Sequence, residues 1–160
     1  MTASLETPEL PAIGIVADLS EDDRLLLSSY GEFLSFQAGQ EVIKQGDPQD
    51  CLYLVIGGLL HAHRMAHNRE FLLGRIQPGA SFGEVNIFDP SSASATVVAR
   101  EFAQVWRISR ENLEAFLETS PVAGGNLVVG IATQLSRRLR DVNQKLVETQ
   151  TAMLNISGWE

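Results

Sequence analysis

Two stretches of this chain carry residue types whose spacing can hold a ligand: FQAGQEVIKQGDPQDCLYLVIGGLL at residues 36–60 and IQPGASFGEVNIFDPSSASATVVA at residues 76–99. In the second, Pro78 and Gly79 make a turn, Gly83 and Glu84 open a short helical turn that runs into Val85, residues 90–94 form a polar loop of small residues, and residues 95–99 read as a strand. Backbone N–H groups at the start of such a turn, faced by Ala93, Ser94 and Ala95, whose small side chains permit close approach, make a cradle for an anion. Glu84 beside that cradle is an acceptor for a sugar hydroxyl. No Ser/His/Asp set, phosphate-loop signature or dinucleotide fingerprint is present and no carboxylate pair stands out, so no catalytic residue is assigned and the chain does not read as an enzyme.

Composition narrows the partners. Twenty acidic against twelve basic residues give a formal net charge of −8, which opposes neutralising the phosphates of a nucleic acid or the heads of anionic lipids. The expectation is no nucleic acid and no membrane partner; no run of about 18 apolar residues occurs, and the N-terminal stretch lacks the basic start and apolar core of a signal peptide. Cys51 is the only cysteine, so an internal disulfide or a Cys-rich metal site cannot be built, and the cytoplasm is the expected compartment. His61, His63 and His67 fall close together but alternate along a strand-like segment without a carboxylate or cysteine at ligand spacing; no metal is expected.

The elements that must position these residues follow from pattern. Ser20, then Glu21, Asp22 and Asp23, then Leu25, Leu26 and Leu27, is the signature of a capped short helix. Residues 33–108 are short apolar segments punctuated by glycines, which predicts an antiparallel barrel. Ser109 caps a second helix stopped before Pro121. A long last helix, residues 122–154, places Val128, Ala132, Leu135, Leu139, Val142, Leu146, Thr149 and Met153 at alternating spacings of four and three, a coiled-coil seam, with Arg137, Arg138 and Arg140 off it on a solvated face. The seam either packs on its own barrel or pairs with a second copy; its length favours a homodimer through Leu135, Leu139, Val142, Leu146 and Met153.

This arrangement resembles the cyclic-nucleotide-binding domain family, which includes the catabolite activator protein and the regulatory subunits of protein kinase A. The spaced glycines Gly39, Gly46, Gly58 and Gly79, the FGE at residues 82–84 and the SATVVA at residues 94–99 carry the likeness, with the flanking helices. It implies a mainly β fold with helices: a double-stranded β-helix, or jelly-roll, barrel flanked by an N-terminal helix and a long C-terminal helix. Domain limits follow as an extension at 1–18, the barrel with its flanking helices at 19–121, and the dimerisation helix and tail at 122–160. The implied ligand-binding residues are Gly83, Glu84, Val85, Ala93, Ser94, Ala95 and Asn143. In the family the Gly-Glu pair holds the ribose, nearby amides hold the cyclic phosphate, and an arginine before the small-residue strand pairs with the phosphate.

Ala93 stands where that arginine belongs, and Ser91, Ser92 and Ser94 around it carry no charge. A charge-assisted hydrogen bond contributes about 1.5–3 kcal/mol, and about 1.4 kcal/mol is tenfold in affinity, so the loss predicts weakened cyclic AMP binding. Arg100, at an odd separation along the strand from Ala93, points to the other face. Arg64 is the substitute cation by strand parity with Leu60 and Ala62, although a strand-end arginine also turns readily to water. Asn143 reads either as a contact to a purine edge or as a polar neighbour of the seam. The whole reads as a stand-alone sensory or regulatory module with weak or altered cyclic-nucleotide binding, no cofactor, an unknown downstream protein partner and no DNA-reading domain after the long helix. The alternatives are a ligand-free interaction scaffold of the same fold and a sensor for a less charged ligand.

Overall fold

The apolar run at residues 52–56 needs both faces covered, and the computed structural model, which describes residues 8–158, covers them with different material. Two four-stranded antiparallel sheets face one another. One is ordered β1 (Glu32–Phe36), β10 (Ala103–Ser109), β4 (Cys51–Gly57), β7 (Ser81–Phe82); the other β2 (Glu41–Ile43), β9 (Thr96–Ala99), β5 (Leu60–Ala66), β6 (Arg69–Ile76). A ribbon of β3 (Pro48–Gln49) and β8 (Ser91–Ser92) closes one end, so part of the loop expected at residues 90–94 is extended and paired. This is the jelly-roll barrel. Along β4 the side chains alternate: Tyr53 and Val55 pack between the sheets with Leu60, Val97 and Val105, while Leu52 and Leu54 pack outward with Trp106, Ile108 and the helices.

The helices sit where their caps stop and start them. Ser20 Oγ accepts from the Asp23 N–H at 3.1 Å to open α1 (Glu21–Ser28), and Ser109 Oγ accepts from the Asn112 N–H at 3.2 Å to open α3 (Arg110–Thr119). Between them lies the short α2 (Glu84–Phe88), and Ser120 alone separates α3 from α4 (Pro121–Ser157). The stretch read as an N-terminal extension supplies Leu10, Ile15 and Val16 to the outer core, and Arg24 pins it by donating to the Leu10 and Leu19 carbonyls at 3.1 and 2.6 Å. Residues 1–7 lie outside the described residues.

α4 has two lives. Its first turns bury Ala123, Gly124, Leu127 and Ile131 against the barrel's outer core, with Leu135 packed at the edge. Gly130 permits this approach, because a Cβ there would stand 2.7 Å from the Ile15 carbonyl oxygen. Beyond it the seam residues Leu139, Val142, Leu146 and Met153 are all more than half exposed, at 61, 60, 55 and 64%. The helix extends about 55 Å at 1.5 Å per residue, and about half of that length, past Arg138, stands clear of its own barrel.

Because Leu127 is fully buried, Leu127→Ala is expected to lower the unfolding free energy by about 2–5 kcal/mol in urea titrations. A loss under about 1 kcal/mol would mean that the first turns of α4 are not part of the core.

Candidate functional site

A cavity of about 360 Å³ opens between the two sheets, α2 and α4. Its floor is aliphatic and aromatic: Ile43, Ile76, Phe82 and Val97 line it, and Phe82 is held flat on Tyr53 with ring centroids 4.8 Å apart. One wall comes from β6, where the register passes from Ala62 opposite Gly74 to His63 opposite Leu72, leaving Leu73 as an extra, bulged residue beside Gly74. The facing wall is the turn from β7 into α2. Gly83 takes φ +84° there, and a Cβ on it would lie 2.3 Å from the Cys51 carbonyl oxygen, so only glycine brings Glu84 to this point.

Glu84 is 5% exposed, and its carboxylate is held by a residue far away in sequence. Arg138 of α4 donates through Nη1 to Glu84 Oε1 and through Nη2 to the Ser81 carbonyl, beside Gln134, whose side chain is hydrogen-bonded to the Ser81 hydroxyl. Glu84 Oε2 is buried with no hydrogen-bond partner among the described residues, although the residue lines the cavity. On the far side Ala93 is buried, and both of its backbone groups are engaged: its N–H donates to the Asp47 carbonyl and its carbonyl accepts from the Gly46 N–H, each at 2.8 Å. Asn86 turns its amide away as well, donating to the Ser91 and Ser92 carbonyls at 3.0 and 3.2 Å.

Of the sequence-derived residues, the fold brings together Gly83, Glu84, Val85, Ala93, Ser94 and Ala95, all in the cavity wall. Arg64 lies outside that wall: it is exposed on β5 where the hairpin runs past the barrel toward its turn at His67 and Asn68, so inward parity there faces solvent. Asn143 is likewise exposed on the free part of α4 and absent from the wall. The helix contributes Arg138 instead, a residue assigned from sequence to a solvated face. The signal was present: Ala123, Leu127, Ile131 and Gln134 lead along one face of α4 to Arg138, a second stripe beside the seam. Arg75 also lines the cavity, but it pairs in register with His61, on the face opposite the buried Leu60 and Ile76 pair. There it helps hold His61 below the ordinary imidazole range, after desolvation and Arg100.

Other reactive groups stay apart from the cavity's chemistry. Burial pushes the Cys51 thiol up to about 11, reinforced by the hydrogen bond to Asp50, so at neutral pH it is protonated and a poor nucleophile. His63 Nδ1 lies 3.1 Å from Glu70, and no group of three or more metal-ligating side chains occurs among the described residues.

Removing one partner of a largely buried ion pair leaves the other uncompensated. Because Arg138 is 40% exposed and partly screened, Arg138→Met is expected to destabilise by about 1–3 kcal/mol. Adding Glu84→Gln to it should recover most of that loss in a double-mutant cycle by chemical denaturation, and simple additivity would show that the pair is not coupled.

The site can be set beside known proteins. Residues 33–120 match the family model described as the cyclic nucleotide-binding domain. The chain is 31% identical over 129 residues to the cyclic AMP receptor protein of Thermus thermophilus, covering 80% of this chain and 58% of that protein. It is 30% identical over 116 residues to a CRP-like cAMP-activated global transcriptional regulator of Mycobacterium tuberculosis, covering 72% and 50%. The crystal structure of the Thermus thermophilus catabolite activator protein superposes with a TM-score of 0.75 at 28% identity, covering 85% of this chain and 62% of that one. The chain thus spans about half the length of the curated relatives it matches. With its barrel, its Gly83 and Glu84 turn and its long terminal helix in these places, the chain belongs to the cyclic nucleotide-binding domain family.

Proposed function

We propose that this chain is a ligand-sensing regulatory module that performs no chemistry of its own, works in the cytoplasm, and binds cyclic nucleotides weakly. The observation that carries the reading is the placement of Glu84: the residue lines the cavity, one carboxylate oxygen is tied to Arg138 of the long helix, and the other is buried without a partner among the described residues. A ligand hydroxyl that drew this carboxylate toward itself would compete with Arg138 for it, so occupancy of the cavity and the seating of α4 are linked through one side chain. Weak binding follows from Ala93, which offers a cyclic phosphate neither charge nor a free N–H.

The output is an interaction made by α4. The exposed stripe Leu139, Val142, Leu146 and Met153 continues with Ile156, at 76% exposed, in the same alternation of four and three, and a second copy of this helix is the surface that matches it. The competing reading is a ligand-free scaffold. It is favoured by one feature, the loop near Ala93, whose hydrogen bonds close on themselves without any guest.

Calorimetric titration of the full chain with cyclic AMP, cyclic GMP and a cyclic dinucleotide tests the module. Ala93→Arg is expected to tighten cyclic AMP at least about tenfold at fixed ionic strength, and adding Glu84→Ala should remove the gain. A folded Ala93→Arg variant that binds no better than wild type would hand the case to the scaffold. For the output, sedimentation of Leu139→Asp and Leu146→Asp should show the mass of a dimer falling to that of a monomer; unchanged mass in both would exclude the seam as the contact.

A further inference from the structure

A second cavity, of about 500 Å³, lies outside the barrel, where the single helical turn Gly14–Val16 and the Gly79 turn meet α4. The backbone is drawn tight here: a Cβ on Gly14, which takes φ +54°, would run into the Gly79 carbonyl oxygen. In the wall that α4 supplies, Asn126, Gly130, Thr133 and Arg137 each precede a seam residue, Val128, Ala132, Leu135 or Leu139, by two positions. At 3.6 residues per turn two positions are about 200° around the helix, so the groove lies on the flank opposite the seam and pairing through the seam leaves it open.

The walls are amphoteric. Arg137 comes from α4 and Asp18 from the segment after the helical turn; both are exposed, and among the described residues neither is in an ion pair, with the other or with any third group. A planar guanidinium takes a carboxylate through two parallel hydrogen bonds, and a carboxylate accepts from an ammonium. An anion alone is repelled by Asp18 and a cation alone by Arg137, whereas a molecule carrying both charges answers both. Two other polar groups of the wall are already engaged, Gln134 with the Ser81 hydroxyl and Thr133 with the Val129 carbonyl. Asn126 adds an amide that can both donate and accept, as a peptide group requires, and Val129 adds an aliphatic side chain that is 64% exposed.

We propose that this groove is a second ligand site, taking an aliphatic zwitterion of amino-acid to dipeptide size, its carboxylate on Arg137 and its ammonium on Asp18. The volume lies within the roughly 300–1,000 Å³ range of small-molecule pockets. The two cavities share no lining residue, so this site does not depend on what the first one binds.

The full chain, labelled for amide NMR, is titrated at neutral pH with leucine, leucyl-leucine, and the N-acetyl and C-terminal amide forms of each. Wild type is expected to bind leucine or leucyl-leucine with a dissociation constant on the order of 1 mM or tighter. Binding should move the amide resonances of Gly14, Gly130 and Thr133 and leave those of Ser94 and Ala95, in the first cavity, in place. Acetylating the amine or amidating the carboxylate should each weaken binding about fivefold. Arg137→Gln should weaken the zwitterion by a similar factor and no longer distinguish it from its amide; Asp18→Asn should do the same for the acetyl form. Both positions are exposed, and the two variants are expected to melt as wild type does. Failure of wild type to bind either leucine or leucyl-leucine overturns the site. So does binding that the capped forms match, binding that neither substitution weakens, or binding that moves Ser94 and Ala95 instead, which would place the guest in the first cavity.

Discussion

A carboxylate withdrawn from water must be met by a cation or by donors, and in this molecule that requirement is placed on Glu84. Gly83, which alone can take the backbone under the Cys51 carbonyl, pushes Glu84 into the wall; Arg138 crosses from α4 to meet it. One ion pair therefore joins the turn after β7 to the middle of a 37-residue helix. The apolar packing of Leu127 and Ile131 sets where α4 leaves the barrel, and the pair sets its last point of attachment. Past Arg138 the helix has no further buried side chain, so everything beyond it is presented outward.

That division explains why α4 carries two stripes that the sequence overlays on one another. The seam at spacings of four and three is continuous through Val142, Leu146 and Met153, and it dominates any search for apolar periodicity. The stripe that actually packs is shorter, contains Ala123, Gly124, Gln134 and Arg138 among its members, and is too mixed in polarity to register as a buried face. Small residues allow the helix to approach; polar ones meet the polar rim of the cavity. A charged residue at the end of a packing stripe looks identical, on sequence, to one on a solvated face.

Legibility followed the range of the interaction. The helix caps at Ser20 and Ser109 and the Gly83 turn depend on residues within a few positions of one another, and all are found where the sequence pointed. Gly58 is legible by its turn, where it takes φ +85°, but not by its crowding, since a Cβ there would lie 2.3 Å from the carbonyl oxygen of Phe102 on a distant segment. Arg64 was placed by correct parity on a strand that outruns the barrel, so the inward direction there opens on water. Arg138 was missed because its partner is 54 positions away and the mixed stripe that leads to it is outweighed by the apolar seam. The six wall residues from Gly83 to Ala95 were legible because they sit on one short connected segment.

A pair such as Glu84 and Arg138 is weak grounds for stability, since desolvating both charges offsets most of their attraction. Its value lies in what it forbids. With the pair intact, the two charges cancel and the one buried side-chain polar atom without a partner among the described residues is an acceptor; with the pair broken, a bare carboxylate faces any guest. A phosphate partner supplied at position 93 would add a charge on the opposite wall without disturbing this arrangement, whereas recruiting Arg138 would dismantle the helix anchor to gain a ligand contact. Where the anchor of α4 and a guest of the cavity would share a single carboxylate, the chemistry of that guest and the position of α4 cannot be chosen independently.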